Sequence, residues 1–525
     1  MDKSLDKKIK NKNHKIIKNT IRFIIALIVL SIQIILYVAI FFGLHFLKDP
    51  YPTVYKVIYE IFKWYGVILV LLLFKSSMNQ SYKFAWSFFI LLCPFIGTVC
   101  YIMFGNGRVL SKRKTKKMKE FLDTYNKDFK ENIDYNNLDI DFKLISNALS
   151  IDSGFNLYAS QGIKFYPDAL LKHNDMLEEI KKAKKYIFIE YFIIGKGSAS
   201  KDLFDLLIKK ANEGVEVKIL TDDIGSIFVR DKAREKELVH VKNLEFKVWE
   251  PLGLTINPRV NYRDHRKICV IDGLVAYTGG DNISDEYIHK KERFGYWRDT
   301  SIKIYGKPCE SFINMFLSMW YMTTNQKLNI SKYIPYYSEK NNLNSYVLPF
   351  SDGPMNKKNP SYHLFLNMIN SAKENIYISS PYFIIDSQMI DALVAKAREG
   401  VNVSILIPEI PDKKIVYTMT MSHMGFMLEN GVNVYKFKDG FNHAKEVIID
   451  SRYSFVGTVN MDYRSFVLHF EDGVFLYDKN IVYEMNQDFS SILDKSIKLS
   501  YKEYKSRNIF IRIFELILQI FSPLF

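Results

Sequence analysis

Two stretches of the sequence repeat one arrangement of residues that could do chemistry. In each stretch a histidine is followed two positions later by a lysine and five positions after that by an aspartate, and an asparagine comes after a further turn. The first stretch, NYRDHRKICVIDGLVAYTGGDN, contains His265, Lys267, Asp272, Gly280 and Asn282. The second stretch, NHAKEVIIDSRYSFVGTVN, contains His443, Lys445, Asp450, Thr458 and Asn460.

The histidine and the lysine of each stretch stand at the start of an apolar run, so a β-strand would direct both side chains to one face. Lysine and asparagine donors suit the non-bridging oxygens of a phosphodiester, on which charge builds during displacement at phosphorus. One imidazole can attack phosphorus while a second protonates the leaving oxygen. This chemistry requires two histidines, and the two stretches supply them.

A single His-x-Lys pair is typical of a strand end at a protein surface, and its recurrence with the same downstream spacing is what favours a functional site. Asp272 and Asp450 come at the end of the strand, where Asp-Gly and Asp-Ser are typical of turns. We include both aspartates among the catalytic motif residues and expect their role to be more structural than chemical.

The region around the motifs is duplicated. AKKYIFIEYFII is followed by LFDLLIKKANEGVEVKILTDD, and later AKENIYISSPYFII is followed by IDALVAKAREGVNVSILIPE. Each copy predicts a strand, an amphipathic helix closed by Gly214 or Gly400 and another strand, which is a βαβ unit. We therefore predict an α/β fold with two homologous domains packed with pseudo-two-fold symmetry, and one site at their interface.

Composition limits the classes to which this 525-residue chain can belong. A hydrophobic content of 48% and an aromatic content of 15% exclude a mostly disordered chain. The net charge of +15 predicts an anionic partner, and leaves nucleic acid, anionic lipid and a solvated surface open. The four cysteines lie far apart, without the paired spacing of a zinc site, and are expected to be reduced.

The N-terminal part of the chain is predicted to lie in a membrane. Residues 23–47 and 84–105 are uncharged and long enough to span a bilayer, and the apolar segment at 57–74 is a shorter candidate. Basic clusters precede the first segment and follow the last, and both are expected on the cytoplasmic side. Two spans satisfy that rule and three do not. The pattern favours a multi-pass protein of the cell membrane with cytoplasmic catalytic domains.

The repeated motif resembles that of the phospholipase D superfamily, His-x-Lys-x4-Asp-x6-Gly-(Gly/Ser/Thr)-x-Asn, and its double occurrence makes the match specific. The flanking sequence resembles bacterial cardiolipin synthases, in the segments GGDNISDEY, YWRDT, SSPYFI, GTVNMDYRSFVLHFE, FAWSFFILLCPFIGTVCYIMFG and FSPLF. This similarity runs from about Val57 to the last residue. One departure is His469, where the family pattern has asparagine before Phe470 and Glu471.

The resemblance implies a phosphatidyltransferase that converts two phosphatidylglycerols into cardiolipin and glycerol through a phosphatidyl-histidine intermediate. It assigns His265 as the nucleophile and His443 as the general acid and then base, and the sequence alone leaves the reverse assignment open. The residues that it places at the phosphate are Lys267, Lys445, Gly280, Asn282, Thr458 and Asn460, and those that orient the imidazoles are Asp299 and Glu471. No metal or cofactor is expected, because the covalent histidine route needs none.

The expected partners are the membrane and its anionic phospholipids, phosphatidylglycerol and cardiolipin. A phospholipase D-type hydrolase and a membrane-tethered nuclease share the motif and are the alternatives. Against the nuclease, and against any nucleic acid partner, the basic residues gather beside the predicted spans and not among aromatic residues near the motifs. The sequence leaves the phosphatidyl donor and the oligomeric state open.

These patterns divide the chain into five segments. They are a membrane-anchoring region at 1–107, a basic linker at 108–145, phospholipase D-like domains at 146–335 and 336–500, and an amphipathic helix at 501–525. In the last segment Asn508, Arg512, Glu515 and Gln519 share one helical face, and isoleucine and phenylalanine share the other. This predicts an interfacial membrane helix, with a helix packed on the second domain as the alternative.

Overall fold

The computed structural model of the chain describes residues 48–76, 79–105, 115–118, 120–121, 138–227, 229–251, 261–337, 342–356 and 358–522. The chain divides into two compact units, one of Met1–Arg108 with Pro251–Val260 and one of Val109–Glu250 with Asn261–Phe525. The first unit contains the predicted membrane-anchoring region, and the second contains both motifs. The predicted span at 23–47 lies outside the described residues.

Helix α1 (Pro52–Lys75) is the one helix in the described part of the chain that is long and apolar enough to cross a membrane. Proline suits its first turn, where the missing N–H would have no helical partner. Its apolar side chains are largely exposed, with Trp64 at 62% and Leu71 at 67%. At about 1.5 Å per residue the helix is long enough for a hydrocarbon core of about 30 Å. The segment predicted as the shortest span is therefore part of a full-length helix.

The segment predicted as a span at 84–105 is not one continuous helix. The structure divides it into α2 (Gln80–Leu92), α3 (Pro94–Cys100) and a π-helical turn (Tyr101–Gly105). The break falls at Cys93, because the following proline lacks a helical N–H and disfavours helical backbone in the residue before it. Gly97 lies so close to α2 that a Cβ there would overlap the backbone oxygen of Phe89. This close approach shows that the chain reverses direction at the break. Helices α2 and α3 thus form a hairpin whose arms, at about 1.5 Å per residue, are shorter than a bilayer core.

Within the second unit, the described residues of 138–337 form a half built of nine strands and six α-helices. The strands are β1 (Tyr158–Ser160), β2 (Ile163–Tyr166), β3 (Tyr186–Tyr191), β4 (Glu216–Asp222), β5 (Leu244–Trp249), β6 (Lys267–Ile271), β7 (Val275–Gly279), β8 (Tyr296–Arg298) and β9 (Ser301–Tyr305). The helices are α4 (Ile140–Ser153), α5 (Ala169–Lys182), α6 (Ser198–Asn212), α7 (Asp223–Ser226), α8 (Lys232–Leu238) and α9 (Cys309–Thr324). A short 3-10 helix (Ile330–Lys332) follows.

The other half of this unit repeats the alternation of strands and helices. Its strands are β10 (Asn342–Asp352), β11 (Asn375–Ser379), β12 (Phe383–Ile384), β13 (Asn402–Pro408), β14 (Asn433–Phe437), β15 (Gly440–Asn442), β16 (Glu446–Ile449), β17 (Tyr453–Gly457), β18 (Met461–Asp462), β19 (Glu471–Asp478) and β20 (Ile497–Leu499). Its helices are α10 (Pro360–Ser371), α11 (Ser387–Arg398), α12 (Lys414–Glu429), α13 (Tyr463–Val467), α14 (Lys479–Asp494), α15 (Tyr501–Lys505) and α16 (Ile509–Phe521).

The two main sheets share one strand order. The first sheet is ordered β2-β9-β7-β6-β3-β4-β5, and the second contains β10-β19-β17-β16-β11-β13-β14 at the corresponding positions. In each sheet the central strand pairs in parallel with the next strand of its βαβ unit and antiparallel with the motif strand, β6 or β16. The predicted duplication of an α/β domain is confirmed.

The central strands are continuous apolar runs because helices or strands cover both of their faces. Every residue of β3 and of β6 is buried. Gly214 and Gly400 follow α6 and α11 with φ of 98° and 94°, a left-handed conformation that glycine adopts without strain. The predicted glycine ends of these two helices are therefore confirmed, and the rigid sheets hold the motif strands in place.

Residues 140–160, part of which the sequence suggested for the first domain starting at residue 146, associate with the sheet of the other half. Strand β1 pairs antiparallel with β10, and the ring of Phe142 on α4 stacks on Phe475 with centroids 4.8 Å apart. This pairing covers the edge of the second sheet, which would otherwise present unpaired backbone groups. Local sequence pattern does not encode such a long-range choice of partner strand.

Candidate active site

A strand pair between the two halves places one motif histidine beside a carboxylate. Strand β15, which precedes His443, pairs in parallel with β8, which precedes Asp299. The backbone N–H of His443 donates to the carbonyl oxygen of Arg298 at 2.8 Å. The Nδ1 atom of His443 then lies 2.6 Å from Oδ2 of Asp299. The carboxylate comes from the opposite half of the unit.

The other motif histidine is held in the reciprocal way. Asp264 forms an isolated parallel bridge with Phe470, and the backbone N–H of His265 donates to the carbonyl oxygen of Phe470 at 2.9 Å. The Nδ1 atom of His265 lies 3.0 and 2.9 Å from the two carboxylate oxygens of Glu471. The structure therefore brings the predicted orienting residues to the imidazoles, each across the boundary between the halves.

Each of these carboxylates selects one tautomer of its imidazole. A carboxylate accepts a hydrogen bond, so the proton of the neutral ring stays on Nδ1 and the lone pair stays on Nε2. Both histidines are buried, each residue being only 7% exposed. The Nε2 atoms of His265 and His443 are consequently the two groups that this arrangement prepares for attack on phosphorus and for proton transfer.

The two motif lysines lie next to the histidines and are buried. Lys267 Nζ donates to the carbonyl oxygen of His265 at 2.5 Å, and Lys445 Nζ donates to the carbonyl oxygen of His443. Burial lowers the pKa of Lys267 to about 8 and that of Lys445 to about 7. Because an ammonium group has three N–H donors, each lysine can donate to an anion as well as to the backbone.

Burial also governs the charge of the histidines and their partners. It lowers the pKa of His265 and of His443 well below the usual histidine range, and the nearby Lys267 and Lys445 lower both further. It raises the pKa of Asp299 well above the usual range for a carboxyl group. Burial therefore favours the neutral form of both imidazoles, and Asp299 retains a proton more readily than an exposed aspartate.

Thr458 and Gly280 occupy equivalent positions in the two motifs, and each helps to position one of the orienting carboxylates in a different way. Thr458 donates its hydroxyl hydrogen to Oε2 of Glu471 at 2.5 Å. Gly280, at the corresponding position, leaves the space that Asp299 occupies, because a Cβ there would overlap Oδ1 of that carboxylate. Both residues were predicted beside the phosphate, and the structure gives both of them contacts with the orienting carboxylates.

The two motif asparagines are partly held by neighbours. Asn282 donates through Nδ2 to the hydroxyl of Tyr287 at 2.8 Å, and its Oδ1 accepts the backbone N–H of Ile193 at 3.1 Å. Asn460 donates through Nδ2 to Oγ of Ser465 at 3.3 Å. A side-chain amide has two N–H groups, so each asparagine can still offer one to a phosphate oxygen.

Asp272 and Asp450 lie at the far ends of the motif strands from the histidines and bind backbone. Asp272 accepts hydrogen bonds of 2.7–2.8 Å from the consecutive backbone N–H groups of Lys184, Lys185 and Tyr186. Asp450 repeats this with bonds of 2.8–2.9 Å from Lys373, Glu374 and Asn375. Both side chains therefore anchor the start of a neighbouring strand, which is the structural role expected of them within the motif.

His469, the residue that departs from the family pattern, lies beside His265. The two imidazole centroids are 5.4 Å apart, and His469 Nδ1 is 3.6 Å from Oε1 of Glu471. The Nε–H of Arg464 donates to His469 Nε2 at 3.3 Å, so the proton of the neutral ring is on Nδ1 and faces Glu471. Burial lowers the pKa of His469 to about 3. The ring is thus a neutral donor directed at the carboxylate.

Three of these side chains are close enough to hold a metal ion. Within the described residues, ligand atoms of His265, His469 and Glu471 lie within 4.8 Å of one another. A metal on Nδ1 of His469 would move the ring proton to Nε2, where it would face the N–H of Arg464. The arrangement therefore favours His469 as a hydrogen-bond donor over a metal ligand.

Aromatic rings from outside the two motifs border the histidines. The ring of Phe192 meets His265 edge-on at 4.9 Å between centroids, and Tyr287 and Trp297 lie 5.5 and 5.7 Å from His443. Such rings exclude water, which strengthens electrostatic interactions inside the site. Tyr287 and Trp297 fall inside the segments GGDNISDEY and YWRDT, so the flanking resemblance was the signal that could have found them.

Comparisons with known proteins agree with this fold. The family described as cardiolipin synthase, PLD-like domain, matches residues 176–320 and 365–493. A second family, described as phospholipase D-nuclease N-terminal, matches residues 64–106. The crystal structure of phosphatidylserine synthase from Haemophilus influenzae Rd KW20 is similar in fold, with a TM-score of 0.56 and 19% identity, over 72% of this chain and 97% of that one.

Two relatives are similar over almost their whole length. The major cardiolipin synthase of Bacillus subtilis strain 168 is 33% identical over 474 residues, which cover 87% of this chain and 96% of the relative. Cardiolipin synthase 2 of Staphylococcus epidermidis is 35% identical over 471 residues, covering 87% and 95%. The duplicated fold and the paired His-x-Lys motifs define a phospholipase D-type protein. Within that class, the chain belongs to the cardiolipin synthase family.

Proposed function

We propose that this protein is a membrane-bound cardiolipin synthase that transfers the phosphatidyl group of one phosphatidylglycerol to a second. The observation that carries the proposal is the reciprocal pairing of His265 with Glu471 and of His443 with Asp299, which prepares two Nε2 atoms at one site. Membership of the cardiolipin synthase family supports the choice of substrate.

In the first step Nε2 of His265 attacks phosphorus and the bond to the glycerol oxygen breaks. The departing oxygen takes a proton from His443, so free glycerol leaves and phosphatidyl-histidine remains. Burial raises the pKa of Asp299, so this pair can hold a second proton in addition to the one on Nδ1. When that proton is on the ring, His443 carries N–H groups on both nitrogens and can give the Nε2 proton to the departing oxygen. Lys267 and Lys445 donate to the non-bridging oxygens as their charge increases.

In the second step the head-group hydroxyl of another phosphatidylglycerol gives its proton to Nε2 of His443 and attacks phosphorus. The bond from phosphorus to His265 breaks, which releases cardiolipin and restores both histidines. A water molecule in place of the hydroxyl would give phosphatidic acid, and this is the hydrolase alternative. Positioning of the lipid alcohol decides between the two outcomes, because an oriented reactant has a high effective concentration.

The test is incubation of the full-length protein in vesicles with phosphatidylglycerol alone, with lipid products resolved by chromatography and mass spectrometry. Cardiolipin and free glycerol in equal amounts would support transfer. Phosphatidic acid with no cardiolipin would make the protein a hydrolase. His265→Ala and His443→Ala should each abolish cardiolipin formation, whereas His240→Ala, at an exposed position, should not.

The proposal includes a membrane topology. If the chain crosses at 23–47 and again at α1, and the hairpin of α2 and α3 enters and leaves on one side, both basic clusters are cytoplasmic, as the positive-inside rule favours. The broken helix at Cys93 supports this, because it removes the third crossing that conflicted with the rule.

Reporter fusions test this topology. Alkaline phosphatase, which is active only outside the cytoplasm, should be active when fused after residue 49 and inactive when fused after residue 107. Activity at the second position would show that the segment at 84–105 crosses the membrane.

A further inference from the structure

Helix α16 has its polar and apolar faces reversed relative to a surface helix of a water-soluble domain. Glu515 is 3% exposed, whereas Phe510 is 77% and Leu516 65% exposed. Further apolar side chains that are 48–55% exposed are Ile509, Ile511, Ile513, Phe514 and Ile517. Helices that face water turn their apolar stripe inward, so α16 presents a surface suited to apolar surroundings.

An ion pair fixes this reversed orientation. Arg507 donates to both carboxylate oxygens of Glu515, at 2.6 and 2.9 Å, and its guanidinium stacks on the ring of Tyr504 at 3.9 Å. A bidentate pair restricts rotation as well as distance. The polar stripe of α16 is thus held against the protein, and the apolar stripe faces outward.

Helix α16 is attached beside the active site. Leu518 packs, together with Val416 of α12, on a cluster formed by Ile384, Met419 and Tyr463. Ile384 lies on β12, which pairs with β18, and β18 directly follows the motif residue Asn460 in the chain. The exposed apolar surface is therefore anchored on the strand pair that borders the second motif.

Cationic side chains accompany this surface. Lys413 immediately precedes α12 and is close enough to lower the pKa of both His265 and His443. Lys502 and Lys505 are exposed on α15, just before α16. Cations bordering an apolar helix face match a layer of anionic head groups above acyl chains.

We propose that α16 docks the catalytic unit onto an anionic lipid bilayer, with its phenylalanine and isoleucine side chains at the boundary of head groups and acyl chains. The strand pair of β12 and β18, which borders the second motif, then lies close to the head groups. The benefit to catalysis rests on the proposed function, because only a lipid substrate requires it. Docking itself requires no turnover, so the two proposals can fail separately.

Tryptophan quenching by brominated lipids tests the docking. Phe510→Trp in the full-length protein is compared with Tyr483→Trp, which replaces a ring 59% exposed on α14. Both are placed in phosphatidylglycerol vesicles with and without bromine near the head-group end of the acyl chains. The emission of the wild-type protein, which has five tryptophans, is subtracted.

The Phe510→Trp emission should fall by at least about twofold in brominated vesicles, and the Tyr483→Trp emission should be unchanged, because only a bilayer-inserted ring meets the bromine. Equal quenching at both positions, or quenching at neither, would overturn the proposal. Protection of Phe510→Trp from an aqueous quencher without lipid quenching would also overturn it and would indicate a second copy of the chain as the occupant.

Discussion

His265 and Glu471 are 206 positions apart in the chain, and yet the imidazole Nδ1 lies 2.9 Å from the carboxylate. The reciprocal contact joins His443 to Asp299. Each half of the duplicated unit thus supplies the histidine of one pair and the carboxylate of the other. The two domains depend on each other for orientation of both reacting side chains, which explains why a duplicated fold contains one site.

Removal of an orienting carboxylate should reduce turnover with little change in folding. In Glu471→Gln the amide can donate to His265 Nδ1 and so favours the tautomer with its proton on Nε2, which removes the attacking lone pair. We expect kcat to fall by about 10²- to 10³-fold. The measurement is cardiolipin formation in vesicles. The control is Glu178→Gln, which changes a side chain that is 61% exposed. Equal losses of kcat in the two variants would refute the orienting role of Glu471.

His469 should act through its N–H on Glu471. In His469→Asn an amide can replace this donor, and kcat should remain within about threefold of the wild-type value. His469→Leu has a similar size and no N–H. Loss of the N–H that faces the Glu471 carboxylate at 3.6 Å should lower kcat about tenfold with KM unchanged. Equal activity of the two variants would show that His469 only fills space.

The pH dependence of kcat/KM should reveal the buried lysines. Both ammonium groups must be protonated to bind phosphate, and burial lowers their pKa to about 8 for Lys267 and about 7 for Lys445. The value of kcat/KM should therefore decline as pH rises through 7 to 8, far below the usual lysine range. Lys445→Arg keeps its charge at every such pH and should move the decline upward by about one unit. A profile that stays flat to about pH 9 would contradict this assignment.

Asp272 should contribute to stability and not to chemistry. It accepts three backbone N–H groups and has a φ of 52°, a conformation that favours aspartate, asparagine and glycine over alanine. Asp272→Ala should lower the free energy of unfolding by roughly 3 kcal/mol, since the donors lose a charged acceptor. Thermal unfolding in detergent would show the change. The folded fraction should keep wild-type kcat, and a specific loss of kcat would restore Asp272 to the catalytic residues.

Much of the site could be predicted from local patterns, because chemistry requires His265, Lys267, His443 and Lys445 at fixed spacing. The duplicated strand order also followed from the repeated βαβ pattern. Glu471 and Asp299 were found through the family resemblance, since their distance along the chain hides their pairing.

Other features depend on contacts that sequence spacing does not encode. The pairing of β1 with β10 and the bond from Arg464 to His469 join segments whose neighbours are set by the whole fold. The reversal at Cys93 could have been read from Pro94, but apolar composition over 84–105 concealed it. The inward turn of Glu515 required knowledge of its partner Arg507.

The central claim is that one histidine carries the phosphatidyl group while the other transfers the proton. The most direct test is to incubate His443→Ala with phosphatidylglycerol, quench the reaction, digest the protein and identify modified peptides by mass spectrometry. His443→Ala lacks the acid of the first step and the base of the second, so both the formation and the release of the intermediate should slow. Over a long incubation, the phosphatidyl adduct that accumulates should be on His265. The contradicting result has two parts. His265 would be unmodified in His443→Ala, and a phosphatidyl adduct would form on His443 in His265→Ala.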